Sequence, residues 1–167
     1  PSQAYPADFV RQLQENFASK VAMADPLTGL ANRLQFNTTL NQLLKKRPLR
    51  CTIALIDLNH FKPINDTYGH AAGDLVLGKT ADRLKKWAGS RAKVARLGGD
   101  EFAVLTPHII SVADLARLIA RPIPSKFGVL HVTAAIGLAT APQDGTTAAA
   151  LLGQADQAMY AAKNKSR

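Results

Sequence analysis

An unbroken apolar run that ends in an acid, Thr52-Ile53-Ala54-Leu55-Ile56-Asp57, constrains this chain more than any other feature. A strand with one wet face alternates apolar and polar side chains. This run does not alternate, so both faces must be covered, and it reads as a buried central strand. Helices to cover it and strands to flank it then have to come from the rest of the sequence.

Upstream, residues 9–21 place Val10, Leu13, Phe17 and Val21 at helical spacing, a short amphipathic helix with little of its own to pack on. It reads as part of a linker helix over residues 1–24 that enters from an upstream domain. Asp25-Pro26-Leu27-Thr28-Gly29-Leu30 breaks it. A second helix over 33–46 carries Leu34, Leu40, Leu43 and Leu44, and Pro48 ends it. After the run, a loop over 58–63 leads into a long helix over 65–87, whose apolar face holds Leu77, Ala81 and Leu84 and continues to Ala88. Strands over 93–97 and 102–105 are joined by a tight turn at Gly98-Gly99-Asp100-Glu101, where paired glycines tolerate positive φ.

A helix over 111–120 follows, with Ser111 as its N-cap and Pro122 past its end. A strand over 129–140, a turn at 142–145 and a helix capped by Thr147 complete the chain. Leu151, Ala155, Met159 and Ala162 form the stripe of that last helix. The order ααβαββαβα predicts an α+β fold with a mainly antiparallel sheet packed with helices, built on a ferredoxin-like βαββαβ core. Such a core hosts many activities, so the residues at the site must carry the functional argument.

Composition narrows the classes. No apolar run approaches the roughly 18 residues needed to cross a bilayer, and no signal-peptide pattern opens the chain. The single cysteine, Cys51, cannot form an internal disulfide, which fits a reducing, cytoplasmic setting while leaving membrane tethering of a longer protein open. A net charge of +9 favours an anionic partner. Its 21 Lys and Arg are scattered, however, clustering only at 45–47, 85–86 and 163–167, and no aromatic pattern accompanies them. Nucleic acid is therefore not the expected partner.

Asp57 ends the central strand, while Asp100 and Glu101 occupy the turn between the next two. If those strands flank the first, three carboxylates meet at one end of the sheet. Two charges about 4 Å apart repel by roughly 4 kcal/mol at an effective dielectric near 20, so such a cluster must be protonated, spread apart or bridged by a metal ion. Oxygen ligands suit Mg²⁺ or Mn²⁺. The plain alternative is a strand-end acid and an unrelated acidic hairpin tip, and spacing alone leaves both readings open. Lys62, before a helix N-terminus, suits a phosphate. Asn65 and Asp74 have the donors and acceptors to read a base, or simply cap helices. The four histidines show no ligand spacing and read as structural or surface residues, and Trp87 and the phenylalanines read as core.

Four strings then go beyond spacing. Residues 25–33 (Asp25 to Arg33), 57–74 (Asp57 to Asp74), 96–102 (Arg96-Leu97-Gly98-Gly99-Asp100-Glu101-Phe102) and 155–163 (Ala155 to Lys163) resemble, in order, the motifs of GGDEF domains. The resemblance covers residues 25–167 as one catalytic domain and implies a fold similar to nucleotidyl cyclases and polymerase palms. It implies a diguanylate cyclase that joins two GTP into cyclic di-GMP with two Mg²⁺ or Mn²⁺ ions per active site. Asp57, Asp100 and the Leu58 carbonyl become metal ligands. Glu101 becomes a further ligand or the base for the ribose 3′-OH. Asn65 and Asp74 correspond to the guanine readers, and Phe61, Lys62, Lys163 and Arg167 surround the triphosphate. Arg96 is expected to support the carboxylates or the transferring phosphate.

Two bonds from two GTP imply a homodimer of facing domains, with an upstream sensor in control. The closing helix also resembles GGDEF domains fused to a phosphodiesterase (EAL) domain. A second reading, a catalytically weak GTP-binding module that regulates such a fused domain, is disfavoured by the intact Asp100 and Glu101. The departures are few: Ala134-Ala135 precede Ile136-Gly137 where the family commonly has Ser, which is expected to touch packing only, and Asn59 stands where Asp is frequent. Many members also carry an inhibitory product site, Arg-x-x-Asp, upstream of the signature. Here its two positions fall on Gly89 and Ala92, and residues 83–99 contain no Asp or Glu.

Overall fold

The computed structural model describes residues 6–165, without the side chains of residues 19–21. Its main sheet has four strands in the order β2-β3-β1-β6, every neighbouring pair antiparallel. These are β1 (Cys51–Asn59), β2 (Lys93–Gly98), β3 (Glu101–Thr106) and β6 (Thr133–Ala141). Six helices accompany them: α1 (Ala7–Ala22), α2 (Arg33–Leu44), α3 (Phe61–Tyr68), α4 (His70–Ala88), α5 (Val112–Ala120) and α6 (Ala148–Lys165). A two-stranded hairpin, β4 (Ile123–Ser125) and β5 (Gly128–Leu130), stands apart from the sheet.

The apolar run lies where its composition requires. All nine residues of β1 are buried, between β3 and β6. Alternation along β1 divides the interior into two cores. Ala54, Ile56 and Leu58 join Val76, Leu84, Phe102, Leu115 and Ile119 on the side of α4 and α5. Cys51, Ile53 and Leu55 join Phe36, Leu40, Leu151 and Ala155 on the side of α2 and α6. Burial pushes the Cys51 thiol up to about 11, so it is a small hydrophobe rather than a nucleophile. Gly137 lets α6 lie directly on β6, since a Cβ there would fall 2.0 Å from the Ala155 carbonyl oxygen. The stripe predicted for the last helix supplies Leu151, Ala155 and Met159 to the core, with Ala162 packed at its edge.

The structure differs from the sequence expectations in three elements and in some expected core residues, Trp87, Phe9 and Phe17. The helix expected over 65–87 is two helices, α3 and α4, broken at Gly69 (φ 89°). The loop expected over 58–63 is mostly regular, because β1 runs to Asn59 and α3 begins at Phe61, with His60 alone turning the chain at φ 61°. The strand expected over 129–140 is divided between β5 and β6. The apolar face of α1 is exposed, with Phe9, Val10, Leu13 and Phe17 open to solvent; of the stripe read from the sequence, the Val21 side chain lies outside the described residues. Trp87 is likewise 36% exposed rather than core. No helix among the described residues is long and apolar enough to cross a membrane.

Candidate active site

The β1–β3 pairing sets Asp57 opposite Glu101, which brings the end of the central strand to the turn after β2. The Leu58 amide donates to the Asp100 carbonyl at 3.2 Å, fixing turn and strand together. Asp57 is 8% exposed, and the Lys163 ammonium, carried over from α6, donates to its Oδ2 at 2.5 Å. Burial pushes the Asp100 carboxyl above the usual carboxylate range, and the charge of Asp57 pushes it the same way. A backbone hydrogen bond, Lys163 and Arg96 pull back without cancelling that shift.

Glu101 turns elsewhere. Its carboxylate lies 3.8 Å from the Arg33 guanidinium and borders a separate cavity between α2 and α6. Asp100 and Lys163 instead border a cleft of about 290 Å³, with Leu58, Phe61 and Lys62 around it. Thus five of the residues expected around metal and triphosphate share one cleft. Asn59, His60 and Pro63 also line it, and only their position in the same loop could have suggested so.

Asn65, in α3, and Asp74, in α4, do not line that cleft. The Asn65 side chain rests on Gly73 of α4, where an added Cβ would fall 1.8 Å from its Oδ1. Asp74, the next residue of α4, is exposed. The α3–α4 break therefore sets Asn65 against the first turns of α4, beside the residue before Asp74, which one straight helix could not do. Arg167 lies outside the described residues.

Arg96 acts as a latch. Its Nε and Nη2 donate to the Gly99 carbonyl at 3.0 and 2.8 Å, and its Nη1 donates to Asp25 at 3.1 and 3.2 Å. Burial opposes ionisation of Asp25, but hydrogen bonds from the Thr28 hydroxyl and amide, together with Arg96, hold its carboxyl below the usual range. The first motif, at residues 25–33, is thereby tied to the signature turn. Ala31 reinforces the tie, its carbonyl accepting from the Arg96 amide at 2.9 Å.

Among the described residues, no three His, Cys, Asp or Glu side chains gather closely enough to hold an ion by themselves. The donor set still fits a hard divalent cation. Two carboxylates, one of them pushed towards its protonated form by burial and by the charge of the other, and a neighbouring main-chain carbonyl are oxygen ligands, and Mg²⁺ ordinarily takes one or two carboxylates plus substrate phosphates. Phosphates would approach past Lys62 and Lys163, the cations of the same cleft.

Residues 22–167 match the family model described as diguanylate cyclase, GGDEF domain. The diguanylate cyclase TpbB of Pseudomonas aeruginosa is 39% identical over 169 residues, covering 93% of this chain and 39% of that protein. The chain thus spans about two fifths of that relative's length. An uncharacterized 19.3 kDa protein of Streptomyces ambofaciens is 40% identical over 87% of this chain and 81% of its own. Among solved structures, a sensory box/GGDEF family protein from Caulobacter crescentus superposes with a TM-score of 0.79 at 35% identity, covering 86% of this chain and 99% of that one. The GGDEF domain of TpbB gives 0.77 at 41% identity, with 86% and 90% covered.

Proposed function

The chain belongs to the GGDEF domain family, and from that premise we propose that it is a diguanylate cyclase, condensing two GTP into cyclic di-GMP and two pyrophosphates. The observation that carries this reading is the cleft in which Asp100 meets Lys62 and Lys163, with Asp57 tied to it through its 2.5 Å ion pair to Lys163. Carboxylates set beside two lysines can take a divalent cation together with the phosphates it carries.

In this reading Asp57, Asp100 and the Leu58 carbonyl would hold two Mg²⁺ or Mn²⁺ ions. When bound, such ions activate the attacking 3′-oxygen and neutralise the leaving pyrophosphate. The chain's own residues do the rest. Lys62 and Lys163 take the triphosphate charge, with Phe61 beside them and Arg167 expected to join. Asn65 and Asp74 take the guanine edge. Glu101, which sits beside Arg33 at 3.8 Å, would have to turn towards the cleft to act as a further ligand or as the base for the 3′-OH proton. Each 3′-oxygen bonds to the other nucleotide's α-phosphorus as pyrophosphate departs.

A single cleft presents one GTP, so two domains must face one another. The exposed apolar face of α1 suits pairing of two copies through a linker helix over residues 1–24, ahead of a catalytic unit over 25–167. Incubating the chain with GTP and Mg²⁺ and separating the products by chromatography tests the reading. Cyclic di-GMP should appear, with specific activity that rises with protein concentration. GTP bound but never converted would mark a regulatory module instead.

A further inference from the structure

The β4–β5 hairpin has no part in the sheet, yet its tip is built with care. Ser125 closes the turn twice: its hydroxyl donates to the Gly128 carbonyl at 2.7 Å and accepts from the Phe127 amide at 3.1 Å. Gly128 adopts φ 98°, which a side chain would resist. The tip presents Phe127, which packs on the core beside α4 and meets the ring of Tyr68 at 6.3 Å between centroids, tilted by 51°. Lys126 lies 5.2 Å over the same Phe127 ring.

Tyr68 is the last residue of α3, directly before the Gly69 break. Asn65 lies one turn earlier on α3, and its carbonyl accepts from the Gly69 amide at 2.8 Å. Its side chain rests on Gly73 of α4. The angle between α3 and α4 therefore sets the separation of Asn65 from Asp74. A glycine at the break holds that angle poorly by itself, because its backbone has many accessible conformations.

We infer that the β4–β5 hairpin is a buttress for base recognition, in which Phe127, through Tyr68, fixes the α3–α4 corner and so positions Asn65 and Asp74 for guanine. This rests on the reading of those two residues as the guanine readers. Phe127 is a positioning residue, remote from the carboxylates, and its effect belongs to the base rather than to the phosphates.

The test measures calorimetric affinity of the full chain, with Mg²⁺, for GTP and for inorganic tripolyphosphate, which has phosphates and no base. Phe127→Ala should weaken GTP by about two- to tenfold, the range of an aromatic pair, while tripolyphosphate is unchanged. Phe127→Tyr should restore GTP binding. Hydrogen exchange at the Gly69 amide should quicken in Phe127→Ala and return to normal in Phe127→Tyr. Equal weakening of both ligands, or an unchanged GTP affinity with an unchanged Gly69 amide, overturns the buttress. Asn65→Ala separates the two layers: if it weakens GTP and Phe127→Ala does not, only the hairpin's role fails. If Asn65→Ala leaves GTP untouched, the base-reading assignment fails and the buttress with it.

Discussion

At one end of β2, Gly98 and Gly99 turn the chain into Asp100 and Glu101, and Asp57 and Lys163 close in around them. At the other end, Gly89 closes α4 at φ 53°, and residues 89–92 bring a single charged side chain, Arg91. Glycine turns the chain at both ends, so the turn alone does not make a site. The difference lies in which charged groups each end gathers. The signature end carries a carboxylate pair that repels within itself, and Arg96 latches its turn to Asp25. Arg91 borders a cavity with Trp87, His108 and Asp114, but Asp114 is already paired with Arg117 at 2.5 Å. Carboxylates and lysines gathered in one cleft by a rigid turn are what a ligand can exploit.

The hardest blow to that contrast is Asp100→Asn. An amide carries no charge for a divalent cation, and turnover should fall by more than about 100-fold, the loss that even indirect supports of metal ligands can reach. The same change should help the fold. The folded carboxyl of Asp100 lies above its unfolded value, so the native state holds that proton more tightly. Metal-free stability from this group is therefore full below the unfolded pKa, and it falls as pH rises towards the raised folded pKa. Asn never ionises. Without metal, the variant should melt above the parent at neutral pH, by no more than about 4 °C, and the gap should close near about pH 3. Near-normal turnover at matched protein concentration, or a lower melting temperature at neutral pH, would remove the special status of the signature end.

Arg96→Ala tests the latch rather than the charge. It removes the fork on the Gly99 carbonyl and leaves Asp25, whose side chain is 14% exposed, with Thr28 alone. Hydrogen bonds to charged groups of this kind contribute about 2 kcal/mol, so urea denaturation should show a loss of that order. Turnover per folded molecule should drop less than in Asp100→Asn. Arg96→Lys should recover little, since an ammonium cannot reproduce the planar fork. Unchanged stability in both variants would mean that the turn is held by its glycines and strand pairing.

Much of this was legible before any coordinates. The apolar run of β1, the acid at its end and the glycine turn opposite it follow from composition and alternation, and the sheet places them accordingly. What remained hidden depended on contacts between distant segments or on single backbone angles. Apolar periodicity runs unbroken across Gly69, so two helices read as one; only the angle at that residue separates them. The three-residue strands of the hairpin are too short for any period to register, and Val129 and Leu130 were absorbed into the next strand. The partners of Arg96 are 71 residues away at Asp25 and three away at Gly99, and spacing marks neither. Nor does spacing reveal that Glu101 borders a separate cavity beside Arg33, because only the packing of α2 supplies that partner.

The smallest expected effect concerns the far end of β2, and it is the sharpest use of the contrast. The Arg-x-x-Asp product site expected from the resemblance would fall on Gly89 and Ala92. Neither residue can offer a guanidinium fork or a carboxylate to a guanine dinucleotide. Ala92 is partly buried against the α4 core, and Gly89 is committed to the helix end, its amide donating to the Lys85 carbonyl at 3.1 Å. The structure adds one acid that the local sequence did not: Asp114 of α5 borders the cavity of Arg91. Its carboxylate is paired with Arg117 one turn along α5 rather than with Arg91. Cyclic di-GMP titrated into the chain should therefore bind no more tightly than the active-site cleft allows, and adding product should leave the initial rate nearly unchanged. The Asp57→Asn, Asp100→Asn double variant isolates the far end, because it disables the cleft's cation site and leaves β2 beyond Arg96 untouched. Submicromolar binding of cyclic di-GMP by that double variant would show that Arg91 and Asp114 do make a site, and that the two ends of β2 are less unlike than their charges suggest.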